Sequence, residues 1–446
     1  MLKYAFVSFL NIVQANLLIN YMKLHTFIIA STIILFPSLI QSQSKIGVVF
    51  ENGSNWNRIL KTAKSQNKLI FLECYTSWCT FCNKMEKEIY SDKNIGDSIN
   101  SRYISFKVQI DTTKQDSDET KMMYKLAHWI KGEYNINEYP TYLFFSSDGT
   151  LIHKGKGFKK NAEFLDMARK ASDSNWQYYT LLDKYLKGDR DKKRWAYLAT
   201  TARSLGENKI SEMISKDFID NYLLDLCESE LFTSENIKFV FSFTNSSMSK
   251  SFLFIFQNMK KLDSVLNIRN YSSSYIDKII KKEEINPYLN CLGSGLEPDW
   301  NKIGNRIKNV YGDNLSRRNI LLAKIDWYYN RDWSKYISYG IQRIKEYPLD
   351  TTTATSTVIL NNIAWDGILL HSKDKTQIKT AIDWMEGVVR RNPSSSIVLD
   401  TYANLLYKIG RIGDALKAEE RASFYSPHSK IYNETLNKMI RGEPTW

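Results

Sequence analysis

Residues 68–82 read KLIFLECYTSWCTFC. The first seven are an apolar run of strand type. From Cys79 to residue 90 the apolar positions fall at helical spacing, with Met85 and Ile89 on one face. A Cys-x-x-Cys pair, Cys79-Thr80-Phe81-Cys82, therefore sits where a strand hands over to a helix. At a helix amino terminus, unpaired N–H groups and the positive end of the dipole stabilise a thiolate. The thiolate is the attacking species in disulfide exchange, so Cys79 reads as the nucleophile and the more exposed of the two thiols. Cys82, one turn on, is placed to resolve the mixed disulfide.

Outward from this stretch, strands and helices alternate over residues 44–172. Residues 103–110 (YISFKVQI) and 141–145 (TYLFF) are strand-like, and 147–149 (SDG) marks a hairpin turn before a last strand. Helices are expected at 120–130 and 159–171. The order is that of an α/β sheet with helices on its faces.

The resemblance to the thioredoxin superfamily rests on five features in order, spread over about 125 residues. They are the Trp78-Cys79-Thr80-Phe81-Cys82 motif; the preceding strand with an acid, Glu73, six positions before the first cysteine; the next strand with Lys107; Tyr139-Pro140-Thr141, similar to the family's cis-proline loop; and the strand and turn that follow. The resemblance implies a mixed central sheet flanked by helices. It implies that Glu73 lies beneath the site and accepts the Cys82 proton, with Lys107 tuning it. It also implies that Pro140 is cis and that Trp78, Tyr139, Pro140 and Thr141 meet the client chain. The Thr80-Phe81 dipeptide differs from the Gly-Pro of typical thioredoxins, and residues 112–134 are longer than in a minimal member.

The pattern changes after residue 172. No proline occurs between Pro140 and Pro287, and helical segments succeed one another. Pro393 and Pro427 are 34 residues apart, as are Ala381 and Ala415, the period of a tetratricopeptide repeat. We expect a thioredoxin-like domain over 45–171 and an all-α helical-repeat domain over 172–446, most tetratricopeptide-like at 320–427. Its tryptophans are expected to pack between helices.

The amino terminus is of targeting type. Residues 27–36 (FIIASTIILF) follow Lys23 and precede a small polar junction, as in a secretory signal peptide beginning at Met22; an uncleaved anchor is the alternative. Residues 1–44 are assigned to this segment, which places the chain in the periplasm or envelope.

Composition excludes other classes. Apolar residues make up 43% and charged residues 24%, which is ordinary for a globular protein. The net charge of +13 is spread along the chain rather than gathered in runs, which argues against nucleic acid. Five cysteines are too few for a disulfide scaffold. Cys74, Cys227 and Cys291 stand apart from one another with no second Cys-x-x-Cys, so no metal site is expected. Cys227, in an apolar run, reads as a buried structural thiol, and His128 and His153 as surface residues. No flavin or nicotinamide motif is present, so no cofactor is expected. The reading is an exported thiol–disulfide oxidoreductase that acts on disulfide-containing envelope proteins and is recharged by a membrane electron carrier. The alternative is an envelope interaction protein whose thioredoxin-like part is structural.

Overall fold

The computed structural model describes residues 47–51, 55–189, 191–293, 295–349 and 354–446. The expected targeting segment, 1–44, lies outside them. The chain divides into two compact units after Ser211.

In the first unit, helix α1 (Trp56–Gln66) leads into strand β1 (Leu69–Tyr75). Helix α2 (Thr80–Lys84) continues as a π-helical turn, Met85–Tyr90, and is followed by α3 (Lys93–Arg102) and β2 (Tyr103–Gln109). Two helices, α4 (Asp118–Met122) and α5 (Tyr124–Glu133), precede the hairpin β3 (Thr141–Phe145) and β4 (Leu151–Lys156). Helices α6 (Asn161–Ser172), α7 (Tyr178–Leu186) and α8 (Trp195–Ser204) follow. The sheet order is β2-β1-β3-β4, with β1 parallel to β2 and antiparallel to β3. This is the mixed sheet expected from the sequence.

Side chains alternate across β1, as the strand repeat requires. Ile70, Leu72 and Cys74 join Ile59, Ala63, Phe106 and Ile130 in a core under α1 and α5. Phe71 belongs to the opposite core, with Met85, Ile89, Tyr90 and Phe164. Glu73, two residues on, shares the Phe71 face and so looks toward the segment that carries the dithiol. The single helix expected from Cys79 to residue 90 is instead α-helical and then π-helical. An α repeat would set Tyr90 about 140° round the axis from Met85; the wider turn buries Met85, Ile89 and Tyr90 together.

The helix expected over 120–130 is broken at Met123. Asp116 organises this longer segment, accepting from Gln109 Nε2, Thr113 N–H, Thr113 Oγ1 and the Tyr124 hydroxyl at 2.6–3.0 Å. The first unit runs past the end of α6. His153 Nδ1 accepts the Tyr178 N–H at 3.1 Å, which ties α7 to β4. His153 is thus a buried residue rather than a surface one, and burial pushes its pKa down to about 4.

The regular elements among the described residues of the second unit are all helices. Its later part is a run of helices that includes Trp333–Glu346, Lys375–Arg391, Ser396–Lys408 and Ile412–Tyr425. Ala381 and Ala415, 34 residues apart, are both fully buried in one core cluster, as are Ala364 and Ala403. Trp327, Trp333, Trp365 and Trp384 pack against the same cluster. Cys227 departs from expectation. It is exposed at the start of the short helix Glu228–Leu231, because the apolar run before it breaks into a 3-10 turn in which only Leu223 is buried. Among the described residues no helix is long and apolar enough to cross a membrane.

Candidate active site

β1 delivers the chain to the site, and the loop after it is pinned from β2. The Ile110 N–H donates to the Tyr75 carbonyl at 2.8 Å. One residue on, Asp111 accepts the Ser77 N–H at 2.9 Å and also the Ser77 hydroxyl. The Cys79 N–H closes the turn on the Thr76 carbonyl at 3.1 Å.

Cys79 is the N-cap of α2, and its Sγ accepts the Cys82 N–H at 3.0 Å. Cys79 and Cys82 are joined as a disulfide, with 5.3 Å between their Cα atoms. Cys79 is 4% exposed and Cys82 7%, so the expected difference in exposure between them is not seen. Trp78 beside them is 70% exposed.

The Tyr139–Pro140 peptide bond is cis. The Tyr139 ring meets the Trp78 ring edge-on, with centroids 5.9 Å apart, which sets the proline loop against the residue preceding Cys79. Thr141 opens β3, pairs with Cys74 across the sheet, and donates to the Glu138 carbonyl at 2.6 Å.

Glu73 is 1% exposed and stands in register between Lys107 on β2 and Tyr142 on β3. Lys107 Nζ lies 3.5 Å from Glu73 Oε2 and also pairs with Glu86. The ammonium is held between the Phe50 and Tyr90 rings, 4.1 and 4.8 Å from their centroids. The Tyr90 hydroxyl approaches Glu73 without reaching hydrogen-bond geometry, so Glu73 Oε1 has no donor among the described residues. Burial raises the Glu73 pKa, and the Lys107 charge opposes this only in part. Burial lowers that of Lys107 against the pull of Glu73. Burial thus outweighs the attraction on both sides, which leaves Glu73 readily protonated.

Cys74, on the opposite face of β1, is buried and free, and burial pushes its thiol well above the usual range. It is an inert core thiol. Two aromatic residues at the site were not anticipated. Phe81, between the cysteines, is largely exposed, and its ring lies 6.2 Å from that of Phe158. Asp111 was also missed; only its position just past the β2 strand hinted at it.

A sequence model of the thioredoxin-like domain matches residues 56–172. Among characterised proteins, the thiol:disulfide interchange protein DsbD of Photorhabdus laumondii is 25% identical over 114 residues, covering 25% of this chain and 18% of that protein. DsbD of Haemophilus ducreyi is 28% identical over 89 residues, covering 20% and 14%. The chain thus spans less than a fifth of the length of these relatives. Among solved structures, the DsbH oxidoreductase covers 29% of this chain and 88% of its own length, at 18% identity and TM-score 0.25. A thioredoxin from Thermus thermophilus covers 28% and 90%, at 16% identity and TM-score 0.24. Residues 56–172 are accordingly a thioredoxin-like domain, and Cys79–Cys82 is its disulfide.

Proposed function

We propose that this chain is an exported thiol–disulfide oxidoreductase that reduces or exchanges disulfides of envelope proteins. Its helical unit, read as tetratricopeptide-like, docks the client or a redox partner. The observation that carries the reading is the Cys79–Cys82 disulfide at the start of α2, with the cis Tyr139–Pro140 loop beside it. The names of the matched relatives support it.

In the reduced protein Cys79 is the thiolate, favoured by the N-cap position and the Cys82 N–H. It attacks a client disulfide, and one client sulfur leaves as thiolate. Glu73 accepts the Cys82 proton, with Lys107 setting its proton affinity. Cys82 then attacks Cys79 Sγ, breaks the mixed disulfide and frees the second client thiolate. The client gains two electrons and the protein returns to its disulfide. A membrane electron carrier restores the dithiol. Trp78, Tyr139, Pro140 and Thr141 hold the client strand, whose backbone pairs beside the proline.

The test is trapping. Cys82→Ser leaves Cys79 able to attack and unable to be released, so it should accumulate mixed disulfides in an envelope extract. Cys79→Ser should accumulate none. Absence of any adduct with Cys82→Ser would leave the thioredoxin-like domain as a scaffold for the helical unit.

A further inference from the structure

Beside the dithiol lies a feature that the exchange chemistry does not use. A cavity of about 480 Å3 runs along β4 between α6 and α8, and Lys154, Lys156, Phe158, Lys159, Lys170 and Tyr197 help to line it. Its size is within the range of roughly 300–1,000 Å3 usual for ligand sites. Phe158 connects it to the active site. The ring meets Phe81, between the two cysteines, and Lys84 Nζ from α2 stands 4.7 Å from the ring centre. One aromatic ring therefore separates the cavity from the dithiol segment.

Three of the lysines that line this cavity, Lys154, Lys156 and Lys159, have no ion-pair partner among the described residues. Lys154 Nζ donates to the Tyr134 carbonyl at 2.7 Å. Lys156 Nζ donates to Asn137 Oδ1 at 3.2 Å, and Lys159 Nζ to the Lys156 carbonyl at 2.5 Å. All three acceptors are neutral. Among the described residues, none of these three ammonium groups forms an ion pair, in contrast to Lys170, which pairs with Asp166 at 2.6 Å. Two acids, Glu163 and Asp166, line the cavity as well, and they and nearby Glu207 have other partners. Asp166 also holds Arg169, Glu163 accepts the Lys160 N–H, and Glu207 accepts the Tyr178 and Tyr179 hydroxyls. Glu138 is the remaining acid that acts on Lys159. Half-buried positive charge of this kind is costly until an anion arrives, and charge-assisted hydrogen bonds are the stronger kind. Burial lowers the pKa of Lys154 and Lys159, in agreement with this under-compensation.

We propose that this cavity receives acidic side chains of the disulfide-bearing client, from the segment flanking the cysteine that Cys79 attacks. Phe158 supplies an apolar wall, and the three lysines supply partners for carboxylates. The inference rests on the exchange reading for its client and on the cavity alone for its ligand chemistry, so the two can fail separately.

The experiment has a binding arm and a turnover arm, both on the full chain. In the first, a labelled, cysteine-free peptide rich in glutamate is titrated against the disulfide form by fluorescence anisotropy, beside its glutamine counterpart. The glutamate peptide should bind about tenfold tighter, and added salt should weaken it. The double variant Lys156→Glu, Lys159→Glu should abolish the preference. The milder Lys156→Gln, Lys159→Gln pair should reduce it and stands in if charge reversal unfolds the protein. Equal binding of the two peptides, or a preference unchanged by either variant pair, overturns the inference. In the second arm, disulfide peptides with acidic or amide flanks are compared by kcat/KM. Turnover without acidic preference overturns the site alone. Acidic binding with no turnover of any disulfide leaves the site standing and removes the exchange reading.

Discussion

The Lys107 ammonium stands 3.5 Å from the Glu73 carboxylate, yet burial raises the proton affinity of Glu73 and lowers that of Lys107. An ion pair that strongly favoured both charges would shift each pKa the other way. The pair is therefore held in place by the sheet register of β1 and β2, and Glu73 is kept ready to take a proton.

The first prediction follows from that sign. An acid with a raised pKa in the fold keeps its proton where the unfolded chain has already lost it. Stability from this source is present below the ordinary glutamate range and is lost as pH rises through the folded value. Glu73→Gln should therefore stabilise the protein at neutral and alkaline pH, by about 1–3 kcal/mol, and should gain little near pH 4. Thermal unfolding at both pH values measures it. The same variant should slow disulfide exchange about a hundredfold, the lower end of the range for losing a proton acceptor. A variant that is no more stable at neutral pH would contradict the assignment of burial as the dominant cause.

The second prediction concerns Lys107. Removing the ammonium in Lys107→Met takes away the one charge that holds the Glu73 pKa down. The Glu73 value should rise further, and the acid limb of the pH–rate profile should move to higher pH. Loss of Lys107 also frees Glu86, which is exposed and needs no partner. Carbon-detected NMR titration of the Glu73 carboxyl reads the shift directly, and a downward movement would reverse the proposed tuning role.

A third prediction tests the loop before Cys79. Asp111 accepts both the backbone N–H and the hydroxyl of Ser77, and so fixes the approach to the dithiol from β2. Asp111→Ala removes both acceptor contacts and should cost about 1–2 kcal/mol of stability. Exchange should fall by several-fold through lost positioning, with the thiol chemistry of Cys79 intact. Reaction of the reduced protein with a small thiol reagent should stay near wild type, whereas turnover of a disulfide peptide should drop. Equal losses in both assays would show that Asp111 acts on the thiolate itself.

These residues also show what was legible in the sequence. Cys79, Cys82, Glu73, Lys107 and Pro140 lie on or beside strands whose apolar runs are continuous, so their order along the chain already carried their layout. The alternation of strands and helices followed from the same runs, and the mixed sheet from the resemblance to the thioredoxin superfamily. Asp111, Phe158 and the exposed Phe81 gain meaning only through contacts between segments distant in sequence or through the direction a side chain takes. His153 lies on the edge strand β4, and its burial depends on α7 folding back over it. The π-helical turn at Met85–Tyr90 was hidden because Met85 and Ile89 already fit an α-helical face by themselves, and Tyr90 joins them only in the wider turn. Cys227 was misplaced because an apolar run does not disclose a break in its own helix.

The last prediction concerns the helical unit. Asp400 and Glu419 are both buried there, and neither Glu419 oxygen has a hydrogen-bond donor among the described residues. Asp400 accepts from Asn404 Nδ2 at 3.0 Å, and the Asn404 side chain in turn accepts from Thr445. Burial raises both pKa values, and the Asp400 charge further disfavours ionisation of Glu419. The sign is that of Glu73: protons are held in the fold and lost in the unfolded chain, so stability from the pair falls as pH rises through the folded values. The helical unit should thus melt at a lower temperature at pH 9 than at pH 6. Glu419→Gln removes the second charge while keeping the shape, and should flatten that dependence and raise the melting temperature at pH 9. A single buried carboxylate at Asp400 then keeps the Asn404 amide as its donor. If Glu419→Gln instead lowers stability at pH 9, Glu419 is ionised and paired in the fold, and the reading of a proton-holding pair is wrong.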